Sequence, residues 1–125
     1  MIAGIGMDLC QVARMEKLLR DEKFLRRYFA EEEQAYILNK GVSAAQTMAG
    51  MFAAKEALCK ALGTGIVSAA LSDICVLHDE SGAPFYALRG EYASLAAEKG
   101  IASLFLSITH EGGMAAAVCA AERSP

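Results

Sequence analysis

The sequence predicts an α+β fold in which antiparallel strands pack against one long helix. Three observations carry this. The first residues alternate between small or polar and apolar side chains, as in a strand. Ser43 to about Leu62 is rich in Ala, Met and Leu, good helix formers, and Ser43 is placed to cap that helix. Two later strand pairs are joined by short Gly-containing turns, without βαβ alternation.

Each element follows in order. In Ile2–Leu9, the residues Ile2, Gly4, Gly6 and Asp8 point one way and Ala3, Ile5, Met7 and Leu9 the other. Val12, Met15, Leu18 and Leu19 have helical spacing, which predicts a helix over 12–20. Glu31, Glu32 and Glu33 suit a helix first turn, and Gly41 suits its end. The long helix follows and stops at Gly63-Thr64-Gly65. Asp73–His78 and Phe85–Leu88 read as a hairpin around Asp79-Glu80-Ser81-Gly82. Glu91–Lys99 reads as a short helix closed by Gly100. Ser103–Thr109 and Met114–Ala121 read as a second hairpin around Glu111-Gly112-Gly113. With no linker or repeat, residues 1–125 are expected to form a single domain.

The composition narrows the function. An apolar fraction of 54% argues against intrinsic disorder. No apolar run reaches the roughly 18 residues that span a bilayer, and the start lacks a signal peptide's basic region. The expectation is a cytoplasmic protein without a membrane partner. Cys10, Cys59, Cys75 and Cys119 have no C-x-x-C spacing and lie in apolar stretches, as reduced buried thiols do. The net charge of −3 argues against general nucleic-acid binding. Its distribution is uneven. Between Arg14 and Arg27 six basic residues meet three acidic ones, so this segment carries +3 and the rest −6. Such a patch either steers an acidic partner or is a solvated helix face.

Four features could do chemistry. Glu56 and Lys60 share a helix face with Phe52, and with Lys55 they are the only charges between Met48 and Leu62. A carboxylate in that setting needs a lysine or metal partner. Gly63-Thr64-Gly65 combines a helix end with backbone amides able to approach an anion, although a C-cap alone explains Gly63. Asp8 is a lone carboxylate in an apolar strand, where Asp is disfavoured, and Gly4 and Gly6 leave room beside it. Paired with Glu56 it suits Mg²⁺, which takes few protein oxygens and completes its shell with water and phosphate. His110 ends a strand beside a Gly-rich turn, a position that often carries function.

Together these segments resemble one family, the holo-(acyl-carrier-protein) synthases, the short bacterial type of 4′-phosphopantetheinyl transferase. GIGMDLCQVARME (4–16) is similar to the family's opening strand and helix. FAAKEALCKALGTGI (52–66) resembles its signature almost residue for residue. LSITHEGGMAAAV (106–118) resembles its closing hairpin, and KFLRRYFAEEEQAY (23–36) fits between. The resemblance implies transfer of the phosphopantetheine arm of coenzyme A to a serine of apo-acyl carrier protein in fatty acid biosynthesis. Adenosine 3′,5′-bisphosphate is released. It implies Asp8 and Glu56 as Mg²⁺ ligands, Lys60 on phosphate, and the backbone of Gly63, Thr64 and Gly65 around the nucleotide. It places His110 near the 3′-phosphorylated ribose. Arg14, Arg20, Phe24 and Arg27 become the carrier-docking residues. The resemblance also implies a homotrimer with sites at subunit interfaces. The serine's base is left open between a water on the metal and a nearby carboxylate.

Two positions depart from the family pattern. Met51 stands where many relatives carry Arg, and Ala30 where Ser or Thr often caps a helix, a change costing about 1 kcal/mol. Competing readings are a domain serving a megasynthase, a non-catalytic coenzyme A or carrier module, and an unrelated packing domain. The start at Met1 favours a standalone enzyme, and Asp8, Glu56 and Lys60 argue for retained catalysis.

Overall fold

The computed structural model describes residues 1–64 and 70–125. Strand β1 (Ile2–Gln11) leads into α1 (Val12–Leu18), α2 (Glu22–Tyr28), α3 (Glu31–Leu38) and the long α4 (Ala44–Leu62). The hairpin β2 (Ile74–His78)–β3 (Pro84–Leu88), helix α5 (Gly90–Glu98) and the hairpin β4 (Ile101–Glu111)–β5 (Met114–Arg123) follow.

The strands form two separate antiparallel sheets. One has the order β1-β5-β4, and the other is the β2–β3 hairpin alone. Helix α4 crosses the inner face of the three-stranded sheet. Between Ala44 and Leu62 only four of its residues, Gln46, Thr47, Glu56 and Lys60, escape full burial. Small side chains make this possible. Ala115, Ala117, Cys119 and Ala121 of β5 face the helix, as do the alanines of α4. The same alternation leaves the outer face of β1 open, with Ile5, Met7 and Leu9 each 64% exposed. Ile2 departs from the expected alternation. It is exposed, and the β1–β5 register shifts between Ile2 and Gly4.

The first helix and the long helix differ from expectation. The helix predicted over 12–20 ends at Leu18, and a separate α2 follows, started by Asp21, whose Oδ1 accepts from the Phe24 N–H at 3.1 Å. Ser43 precedes α4 but makes no side-chain cap bond, because a 3₁₀ turn over Gly41–Ser43 runs directly into the helix. Ala30 has no oxygen to cap α3. Glu33 supplies the other half of a capping box, accepting from the Ala30 N–H at 2.9 Å. All four cysteines are buried and free.

Candidate active site

Asp8 reaches α4 because Gly4 and Gly6 let β1 lie unusually close to it. A Cβ at Gly4 would run into the Ala61 carbonyl oxygen, and one at Gly6 into that of Ala57. The strand's inward face is therefore nearly bare backbone until Asp8. There Lys60 Nζ donates to Asp8 Oδ1 at 2.9 Å and to the Met7 carbonyl at 3.0 Å.

Glu56 sits one helical turn before Lys60 and is half-buried. Burial, a hydrogen bond with Asp8 and the Asp8 charge push its carboxyl up to about 7, against the opposing pull of Arg14 and Lys60. A carboxyl held this far above its ordinary value beside a second carboxylate marks a place where negative charge accumulates. Asp8, Glu56 and Lys60, predicted from separate segments, thus meet in space.

Arg14 joins them from α1. Its guanidinium lies 5.2 Å from the centroid of the Phe52 ring, a cation–π contact one turn along α4 from Glu56. Phe24, expected as a docking residue, is half-buried among Tyr28, Phe29 and Phe52, with centroids 4.6–6.4 Å away. Arg20 and Arg27 are exposed, and Arg27 lies over Tyr28 at 5.4 Å.

Gly63 closes α4 in the left-handed conformation (φ 73°). Its N–H donates to the Lys60 carbonyl at 3.1 Å, and the Thr64 N–H donates to that of Cys59, also at 3.1 Å. Both amides cap the helix in this structure. Gly65 lies outside the described residues.

His110 does not join the carboxylates. It lies beside the first turns of α4, where Gly50 allows the close approach: a Cβ there would come within 3.0 Å of His110 Nε2. Nε2 is 3.1 Å from the Gln46 carbonyl oxygen, which can only accept, so this nitrogen carries the hydrogen. His110 borders a cavity of about 380 Å³ shared with Tyr36, Lys40, Thr47, Met51 and His78. Sequence reasoning missed Tyr36, Lys40, Thr47 and His78. They come from three segments with no motif in common, and only His110 and the departure at Met51 pointed here. From Met51 to Glu56 is five residues, about 7.5 Å of helix rise, so α4 connects the cavity to the carboxylates.

Lys55, grouped with Glu56 and Lys60 by its position on a greasy helix, belongs elsewhere. It is fully buried with Glu33, Nζ to Oε1 2.7 Å. Nζ also donates to the Leu71 and Ile74 carbonyls, at 3.1 and 2.6 Å. Burial pushes Glu33 up and Lys55 down. The three oxygens around Nζ match in number the three hydrogens of an ammonium. No helix among the described residues is long and apolar enough to cross a membrane.

Comparison with known proteins bears on the same segments. The profile of the 4′-phosphopantetheinyl transferase superfamily matches residues 4–119. A holo-(acyl-carrier-protein) synthase of Treponema denticola is 50% identical over 118 residues, which cover 94% of this chain and 96% of that protein. The crystal structure of the synthase from Neisseria meningitidis has a TM-score of 0.88 at 32% identity, covering 98% of this chain and 100% of that one. The synthase from Helicobacter pylori, solved in complex with coenzyme A, has a TM-score of 0.82 at 33% identity, covering 94% and 99%.

Proposed function

Because the chain belongs to the 4′-phosphopantetheinyl transferase superfamily, we propose that it transfers phosphopantetheine from coenzyme A to a serine of an acyl carrier protein. Adenosine 3′,5′-bisphosphate is the other product, and fatty acid biosynthesis is the setting. One observation carries this reading: two carboxylates, Asp8 and Glu56, brought together from β1 and α4 with Lys60 beside them.

The donor set fits Mg²⁺. Among the described residues no third His, Cys, Asp or Glu completes a metal-holding group, and Mg²⁺ is the ion that makes do with one or two carboxylates. Asp8 and Glu56 would hold it. The ion would supply positive charge to the pyrophosphate, where charge stabilisation dominates phosphoryl transfer. Lys60, with its side chain 55% exposed, can turn from Asp8 to a phosphate oxygen. The cavity beside His110 receives the nucleotide half of coenzyme A, with Lys40 supplying a cation at its rim. The Gly63 and Thr64 backbone lies at the other end of α4, about 18 Å of helix rise from Met51, so it would border the nucleotide only in a site shared with a second copy. Arg14 lies beside Glu56, so an acidic carrier docked on Arg14, Arg20, Arg27 and the exposed edge of Phe24 presents its serine at the carboxylates.

The chain works as a homotrimer in this reading, as the family resemblance implies. The exposed apolar face of Ile5, Met7 and Leu9, with Phe105 53% exposed on β4, supports association. Met7 and Leu9 flank Asp8, so a second copy on this face would adjoin the carboxylates. Residues 1–125 act as one cytoplasmic domain, a setting that suits four unpaired cysteines. The test is to incubate the protein with coenzyme A, Mg²⁺ and apo-carrier, then weigh the carrier. A gain of the phosphopantetheine mass is expected, and no gain overturns the reading.

A further inference from the structure

Among the described residues the β2–β3 hairpin shares no backbone ladder with the three-stranded sheet, so side chains hold it in place. Beyond apolar packing, two consecutive residues in the first turn of α3 bond to its two strands. Glu33 Oε2 accepts from the Val76 N–H of β2 at 2.9 Å, while its Oε1 meets Lys55 of α4. Lys55 in turn holds the Leu71 and Ile74 carbonyls at the entry to β2. Glu32 takes the other strand, in a two-pronged pair with Arg89 just after β3, at 3.1 and 2.7 Å. Tyr86 adds a tie from β3 to α4, its hydroxyl donating to the Ala54 carbonyl at 2.6 Å.

The position of this hairpin shapes the cavity. His78, at the end of β2, stacks on Tyr36 of α3 with ring centroids 4.0 Å apart and planes 6° from parallel. Lys40 lies over the other part of that stack, 4.5 Å from the Tyr36 centroid. Pro84, the first residue of β3, lines the same cavity, together with Thr47, Met51 and His110. The lining thus comes partly from the hairpin that Glu32 and Glu33 tie to α3 and partly from α4 and β4.

Burial without function would favour a different solution. A fully buried ion pair is often no more stabilising than apolar residues of the same volume, and α4 is otherwise packed with such residues. The pair buys geometry instead: fixed, directional bonds between α3, α4 and β2. We propose that Glu32, Glu33 and Lys55 are positioning residues that set the width of the nucleotide cavity, and so the affinity for the nucleotide half of coenzyme A. This rests on the nucleotide reading of the cavity given above.

The test uses the full chain and adenosine 3′,5′-bisphosphate as probe, with binding measured by calorimetry alongside KM for coenzyme A and kcat. Arg89→Gln removes an exposed pair and leaves the fold intact. It is expected to raise the Kd of the probe and the KM about 2–5-fold, with kcat at saturating coenzyme A changed less than about 2-fold. The exchanged pair Glu32→Arg with Arg89→Glu should restore both, which a general loss of stability would not predict. Glu33→Gln keeps the side chain's volume and is expected to raise both constants about 10-fold or more. Should Glu33→Gln fail to fold, the Arg89 series decides alone. Unchanged Kd and KM in folded Arg89→Gln and Glu33→Gln overturn the positioning role. Failure of the unmodified protein to bind the bisphosphate overturns instead the nucleotide reading of the cavity.

Discussion

Lys60 Nζ lies 2.9 Å from Asp8 Oδ1, joining residues 52 positions apart in the chain. The contact raises the Lys60 pKa, chiefly through the hydrogen bond that Lys60 donates to Asp8. It also shows why the carboxylates meet: β1 can approach α4 only as closely as its glycines permit. The predictions below follow from that packing and from the charges it concentrates.

Removing either carboxylate should remove the reaction and spare the fold. Asp8→Asn and Glu56→Gln are each expected to lower kcat/KM by at least about 100-fold. Far-ultraviolet circular dichroism should be unchanged. Near-normal transfer by Glu56→Gln would contradict its role as a ligand.

The proton on Glu56 gives a sign to the pH dependence. Its carboxyl titrates near 7 in the folded chain, against 4.5 ordinarily. A raised folded value favours the protonated form, so this contribution to stability is present below about 4.5 and lost as the pH rises through about 7. Mg²⁺ requires the carboxylate. Its stabilising effect should therefore be larger at about pH 8 than at about pH 5.5. Melting curves with and without Mg²⁺ at the two values check this, and equal shifts would count against it.

Gly6→Ala should push β1 off α4. The new Cβ would run into the Ala57 carbonyl oxygen and lie 2.6 Å from the Ala61 nitrogen, and backbone cannot step aside. Overpacking of this kind costs about 1–3 kcal/mol. A drop in Tm of several degrees with loss of transfer is expected. A variant as stable and active as the unmodified chain would show that the strand has slack.

Arg14→Glu reverses the charge nearest Glu56 on the docking side. KM for the carrier should rise severalfold, most at low salt, because exposed charges are screened within about 10 Å at 0.1 M. KM for coenzyme A should move less. Kinetics at two ionic strengths measure the difference, and an unchanged carrier KM would remove Arg14 from the docking surface.

Met7→Glu places a charge at the centre of the exposed apolar face. It should leave the isolated fold intact, because Met7 points away from α4, and dissociate the proposed homotrimer. Light scattering should show a smaller particle, together with reduced transfer. An assembly of unchanged mass would mean that copies associate through another surface.

The class of fold and most of the elements are legible in the chain alone, because alternation, helical spacing and Gly-bearing turns are local properties. The chain also singles out Asp8, Glu56 and Lys60, since isolated charges in apolar surroundings are conspicuous without coordinates. Which charges belong together depends on how the elements pack. Lys55 and Glu56 are neighbours in the chain but lie about 100° apart around a helix. Packing of α3 and β2 on one side buried Lys55 against Glu33, 22 residues away, and left Glu56 facing Asp8. His110 ended beside the first turns of α4, near Tyr36, Lys40 and His78, for the same reason: a cavity is made by elements that meet across the core, and no local pattern records where they meet.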